Sequence, residues 1–151
     1  MKTAIFTGSF DPFTIGHKDI ADRAKDLFDE LVIGIGYNEH KQYMFPVEER
    51  VKAIEELYKY DLNVRVEAYD DLTVDFAQRH NADCIIKGVR SVKDFEYERE
   101  QAEINRQLSG IETVLLLANP GLECVSSSMV RELIHFDKDA SEYIPSAKDN
   151  M

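Results

Sequence analysis

TAIFTGSFDPFTIGH, residues 3–17, leaves an apolar, strand-like run through small and turn-forming residues and enters what reads as the start of a helix. An ordinary reversal takes about four residues, and this connection is longer. Gly8 allows backbone to approach a ligand closely, and Ser9 offers a hydroxyl beside exposed backbone donors. Gly16 and His17 then fall at the N-terminal end of the helix, where unpaired N–H groups and the helix dipole favour anions. The His17 imidazole reads two ways there, as a capping or solvent-facing histidine or as a hydrogen-bond donor to a phosphate oxygen.

The same alternation continues outward. TAIFTG (3–8), ELVIGIG (30–36), NVRVEA (63–68), DCIIKG (83–88) and ETVLLLA (112–118) read as five strands. All but NVRVEA are near-continuous apolar runs, as parallel strands covered on both faces require, whereas NVRVEA alternates and reads as an edge. Between them lie helical stripes: Ile20, Ala21, Ala24, Leu27 and Phe28; then Val47, Val51, Ile54, Leu57 and Tyr58 behind Pro46 as a first helical residue. Val74, Phe76 and Ala77 predict a short third helix capped by Thr73. Ser91, with Asp94 three residues on and Gly110 as a stop, predicts a fourth over about 92–108, and a last helix follows Ser126. Strands alternating with helices predict an α/β fold, an open doubly wound five-stranded parallel sheet with right-handed crossovers. The 151 residues form one domain in this reading, with a polar, loosely packed tail from about residue 138.

A net charge of −11 argues against a nucleic-acid surface. No apolar run approaches a membrane span, and the N-terminal MKTAIF is interrupted too early for a signal peptide. Cys84 and Cys124 lack metal spacing and read as reduced thiols of a cytoplasmic protein. His40, His80 and His135 are scattered, and no metal-ligand set is expected.

In doubly wound folds, ligands bind beyond the carboxyl ends of the strands, near the point where strand order reverses. GSFDPFTIGH (8–17), NEHKQYMF (38–45), KGVRSVKDFEYE (87–98) and NPGLECVSSS (119–128) all fall on that rim. They place His17, Lys41, Lys87 and Arg90 together in an otherwise acidic chain, which points to an anionic, phosphate-bearing ligand. The serines before MVRELI read as a helix cap that also presents hydroxyls and amides to phosphates. There is no P-loop, dinucleotide fingerprint or Gly-x-Ser-x-Gly elbow.

With GSFDPFTIGH, KGVRSVKDFEYE and SSSMVRE in this order, the chain resembles the bacterial phosphopantetheine adenylyltransferases over residues 2–134. The outer two motifs are shared with the wider nucleotidyltransferase superfamily, and the middle one is specific. The resemblance implies a Rossmann-like nucleotidyltransferase fold and transfer of AMP from ATP to phosphopantetheine, giving dephospho-coenzyme A and pyrophosphate by direct attack, without a covalent enzyme intermediate. It implies catalytic roles for His17, Lys41 and Ser9, and ATP contacts from Ser9, Phe10, His17, Gly88, Val89, Arg90 and Glu98. The last loop adds Leu122, Glu123, Cys124, Val125, Ser126, Ser127 and Ser128, while Ser9, Lys41, Thr73 and Lys87 are implied to touch phosphopantetheine. Mg²⁺ carried by the ATP phosphates and a homohexamer are also implied. Departures from the family pattern are Ser9 for threonine, Lys87 for arginine, Leu122 for a frequent aromatic and Thr7 for proline. Two alternatives are another adenylyl- or cytidylyltransferase of the superfamily, distinguished by its acceptor, and a nucleotide sensor without turnover, which has no need for both His17 and Lys41.

Overall fold

The computed structural model describes residues 1–147. Five parallel strands, β1 (Thr3–Gly8), β2 (Glu30–Gly36), β3 (Val64–Tyr69), β4 (Cys84–Val89) and β5 (Glu112–Leu117), form one sheet in the order β3-β2-β1-β4-β5. The crossovers are α1 (Ile15–Leu27), α2 (Val47–Leu57), α3 (Thr73–Arg79) and α4 (Val92–Ser109), and α5 (Ser127–His135) follows the sheet. No helix among the described residues is long and apolar enough to cross a membrane.

Strand periodicity divides the core. Ala4, Phe6, Leu31, Ile33, Ile35 and Ile86 face Ile20, Ala21 and Ala24 of α1 and Ile54 and Leu57 of α2. The intervening residues Ile5, Val32 and Ile85 face Phe76 and Ala77 of α3 on the other side. The expected strands agree with these within a residue at each end. β3 is an edge, as its alternation indicates, but β5 is the other edge and is only half-buried along its length. Its apolar run therefore does not mark a strand covered on both faces. It has one strand neighbour, and α4 beside it buries no residue fully.

Capping follows the sequence with two shifts. Ser91 and Ser126 each accept a hydrogen bond from the backbone N–H three residues on, and Gly110 ends α4 at φ +76°, a conformation that favours glycine. Thr73, expected as a cap, is instead the first residue of α3: Leu72 precedes the helix, and the Asp75 carboxylate takes the Leu72 N–H. Pro46 likewise stands one residue before α2 rather than inside it.

The loose tail expected from residue 138 is not what residues 138–147 show. Ala140 and Pro145 are buried, Ser141–Tyr143 form a 3₁₀ turn, and Ile144 and Pro145 wall an apolar cavity with Phe10, Phe45 and Leu57. An Ile-Pro pair inside a polar stretch supplies enough apolar surface to hold the backbone down. The rest of that expectation, on 148–151, lies outside the described residues.

Candidate active site at the sheet switch point

The chain leaves β1 to build β2 and β3 on one side, then returns to place β4 and β5 on the other, so strand order reverses between β1 and β4. A cavity of about 380 Å³ opens there, at the carboxyl ends of those two strands, as the rule for doubly wound sheets requires. Its floor is Phe6, Thr7, Gly8 and Lys87 to Val89, and its walls come from the starts of α1 and α4 and the loop before α5. Gly88 lets α1 sit low over β4, since a Cβ there would meet Ile20 Cγ1 at 3.0 Å.

The loop after β1 turns back on itself. Phe10 is buried with φ +47°, and its ring lies so near Gly8 that a Cβ on Gly8 would fall 3.0 Å from it. The Asp11–Pro12 peptide is cis. The Asp11 carboxylate, itself buried, accepts the backbone N–H groups of Met44 and Phe45, both at 2.9 Å, and so ties this loop to the one after β2. From α5, Arg131 donates to the Asp11 carbonyl at 2.8 Å, and Ser127 Oγ donates to the Pro12 carbonyl at 2.7 Å.

His17 takes part in the cap and keeps one ring nitrogen free of it. Thr14 caps α1, its hydroxyl accepting the His17 N–H at 3.3 Å, while His17 Nδ1 accepts the Thr14 N–H at 2.9 Å. A ring nitrogen that accepts cannot carry the proton, so the neutral ring is the Nε2–H tautomer. Phe10 and Phe13 pack on the ring with centroids 5.0 and 5.5 Å away, and His17 lines the cavity. Burial, then the positive charges of Arg90 and Lys87, push its pKa down from 6.5 to about 3. The site thus holds an uncharged imidazole with one donor to spare.

The cations of the cavity are already paired. Lys87 Nζ is 3.4 Å from the Thr7 carbonyl and 3.6 Å from Glu98 Oε2, and Arg90 Nε is 3.2 Å from Asp94 Oδ2. Glu98 Oε1 is buried without a hydrogen-bond partner. Among the described residues, no three His, Cys, Asp or Glu side chains stand together as a metal site.

Of the expected site residues, the cavity gathers Ser9, Phe10, His17, Lys87, Gly88, Val89, Arg90, Glu98, Leu122, Val125 and Ser127. Ser126 is used as the α5 cap, and Ser128 Oγ accepts from Arg131 at 3.1 Å. Glu123 accepts the Gly121 N–H at 2.8 Å, and Cys124 is exposed. Thr73 lies apart, its hydroxyl 3.0 Å from that of Tyr69. Lys41 is outside the cavity too, on an exposed loop bordering a neighbouring groove with Tyr37, Tyr43, Phe45 and Arg50.

The cavity also includes Asp94, Tyr97, Ile20 and Ala118, which the sequence reading did not assign to the site. Spacing could have found two of them: Arg90, Asp94, Tyr97 and Glu98 recur at the three- and four-residue intervals of one helical face.

Comparison with known proteins agrees with the fold and gives the family. The cytidylyltransferase-like family matches residues 5–133. A phosphopantetheine adenylyltransferase of Bacteroides thetaiotaomicron is 54% identical over 145 residues, covering 96% of each chain. One from Flavobacterium psychrophilum is 46% identical over 147 residues, covering 97% of each. Among solved structures, a bifunctional NMN adenylyltransferase/ADP ribose pyrophosphatase of Francisella tularensis, complexed with AMP and a manganese ion, superposes with a TM-score of 0.70. It is 15% identical, with 95% of this chain matched to 44% of that one, and the likeness concerns the fold.

Proposed function

We propose, from the premise that this chain belongs to the phosphopantetheine adenylyltransferase family, a mechanism of direct in-line transfer with no covalent enzyme intermediate. The reaction is transfer of the adenylyl group of ATP to phosphopantetheine, giving dephospho-coenzyme A and pyrophosphate, a step of coenzyme A biosynthesis.

The observation that carries the mechanism is the neutral His17, held by Thr14 with its Nε2–H left to donate, between the first turn of α1 and the cations Lys87 and Arg90. In the attack, the acceptor's phosphate oxygen forms a bond to the α-phosphorus as the bond to the bridging oxygen of pyrophosphate breaks. Negative charge grows on the α-phosphate oxygens and on the leaving group. His17 Nε2–H and the first-turn amides of α1 answer the former, while Lys87 and Arg90 answer the latter. Nothing here activates a nucleophile on the protein, and none is needed, since a phosphate dianion is already the attacking group.

Lys41, from its separate loop, orients the acceptor phosphate in this reading, and Ser9 Oγ lies at the boundary between the two substrates. Ile20, Val89, Ala118 and Leu122 give the cavity apolar walls against which a purine fits. Mg²⁺ fits as an ion carried by the triphosphate, because the cavity's two carboxylates, Asp94 and Glu98, each lie beside a cation and, among the described residues, no third metal-ligating side chain joins them. When bound, it neutralises charge on the phosphates. We place the enzyme in the cytoplasm, as a homohexamer.

The test uses isotopically chiral α-phosphate in ATP, together with pyrophosphate exchange into ATP in the absence of phosphopantetheine. Inversion at phosphorus without exchange is expected. Retention, or exchange without acceptor, establishes an adenylyl-enzyme and overturns the mechanism.

A further inference from the structure

The β1 loop, which lines the cavity, and the β2 loop, which carries Lys41, meet through Arg50 of α2. Arg50 is 3% exposed. Its Nη1 donates to the Ser9 carbonyl at 2.6 Å, its Nε donates to the Phe45 carbonyl at 3.0 Å, and its guanidinium lies 4.2 Å from the centre of the Tyr43 ring. It also borders the groove that contains Lys41. Ser9 belongs to the first loop, and Tyr43 and Phe45 follow Lys41 in the second.

Among the described residues, no carboxylate oxygen lies within 4.0 Å of the Arg50 guanidinium, although the more distant Asp11 favours its charge. Burying a charge is costly unless hydrogen bonds compensate it. An apolar side chain would fill this space among Phe10, Phe45 and Leu57 at less cost, and it would leave the two carbonyls unjoined. What the arginine adds is a rigid planar fork that fixes the spacing between two backbone carbonyls.

We infer that Arg50 is a positioning residue of the transfer reaction: its fork sets the distance between the loop that receives the α-phosphate and the loop from which Lys41 orients the attacking phosphate. The inference rests on the reading of Lys41 given above. It adds to that reading the requirement that Lys41 be placed from α2, through bonds that touch neither substrate. Asp11 makes the reciprocal tie, accepting Met44 and Phe45 N–H groups, so four side-chain-to-backbone bonds from Asp11 and Arg50 hold the two loops together.

Arg50→Lys and Lys41→Ala, separately and together, test this. Arg50→Lys keeps the charge but offers a point donor in place of the fork. Its kcat should fall about 10- to 100-fold, the cost of a misplacement near 1 Å, while the Kd for ATP without acceptor stays within about twofold. In the Lys41→Ala background the same change should cost less than about threefold, since the group being positioned is gone.

An unchanged kcat in Arg50→Lys overturns the inference. So does a loss of ATP affinity in proportion to kcat, which would confine Arg50 to the ATP loop. So does full additivity with Lys41→Ala. Near-normal kinetics in Lys41→Ala alone overturns the role of Lys41 itself, a result separable from the other three. If Arg50→Lys lowers the folded fraction, Arg50→Gln, which can bridge only one carbonyl, is measured well below its Tm. It is held to the same pattern of reduced kcat and retained ATP affinity.

Discussion

His17→Asn isolates the protonation chemistry of the site. The asparagine Oδ1 can take the place of Nδ1 and accept the Thr14 N–H, so the cap on α1 survives while the Nε2–H donor is lost. In the folded wild-type chain His17 titrates at about 3, against 6.5 when unfolded. Its folded-state pKa is lowered, so the unfolded chain binds the extra proton first. Stability is therefore unaffected by this group well above pH 6.5 and is lost as pH falls from 6.5 toward 3. Linkage puts the loss at about 1.4 kcal/mol by pH 5.5 and about 2.7 kcal/mol by pH 4.5, relative to neutral pH. The figure at pH 4.5 moves by only about 0.1 kcal/mol if the folded pKa is 4 rather than 3.

Carboxylates titrate in the same range, but they do so in both chains and largely cancel in the difference. Urea unfolding at pH 7.5, 6.5, 5.5 and 4.5, at fixed protein concentration, should show the stability of wild type minus that of His17→Asn falling by about 2.7 kcal/mol across the series. A difference flat to within about 0.5 kcal/mol would mean that the ring takes up a proton in the folded chain. That would refute the Nε2–H tautomer and with it the neutral donor. The same variant should lose about 10²- to 10³-fold in kcat at pH 7.5, as for removal of one transition-state donor.

Lys41→Ala should damage the use of phosphopantetheine while leaving ATP affinity near normal; steady-state kinetics with each substrate varied in turn decides it, and a defect confined to ATP contradicts the assignment. Ser126→Ala removes the acceptor of the Met129 N–H at the start of α5 and should cost about 1 kcal/mol in urea unfolding. Ile144→Ala, at the half-buried anchor of the tail, should cost about 1–2 kcal/mol, less than a fully buried isoleucine would. A stability within error of wild type would return the tail to the loose state its polarity suggests.

Residues 3–17 carried much of the fold because each of their signals is local. An apolar run, a glycine, a cap and a helix face are read within a few residues, and the chain order of five such units leaves few parallel arrangements. The edge position of β3 was legible in its alternation. That of β5 was not, because an apolar run looks the same whether its second face is covered or bare. The site divided along similar lines. His17, Lys87, Arg90 and Glu98 follow strand ends or lie in the adjoining helix and converge by topology alone. Arg50 gave no signal, since an arginine after two glutamates on an amphipathic helix reads as part of a solvated face. Only the folded chain, with its long-range bond to Ser9 and its bond to Phe45, reveals that it is buried. The tail was misread for the reverse reason, a single Ile-Pro pair outweighing the polarity around it.

In the proposed function, His17 suits this first turn to phosphate better than the capping residues of an ordinary helix would. The usual partner of a capping threonine is a glutamate or glutamine at the third helical position, reaching back to the cap's N–H. A glutamate there would complement the helix dipole, but in the proposed reaction it would set a carboxylate against the incoming triphosphate. His17 satisfies the Thr14 N–H through Nδ1 with no charge, and because that nitrogen accepts, the other must donate. Protonation would break the arrangement, since a charged ring has no acceptor to offer Thr14. Lys87 and Arg90 oppose protonation with the same positive charge that, in the proposed function, attracts the nucleotide. The cap, the tautomer, the lowered pKa and the proposed phosphate donor are therefore one constraint met by one side chain. A substitution that keeps the cap, as His17→Asn does, separates the helix from the chemistry.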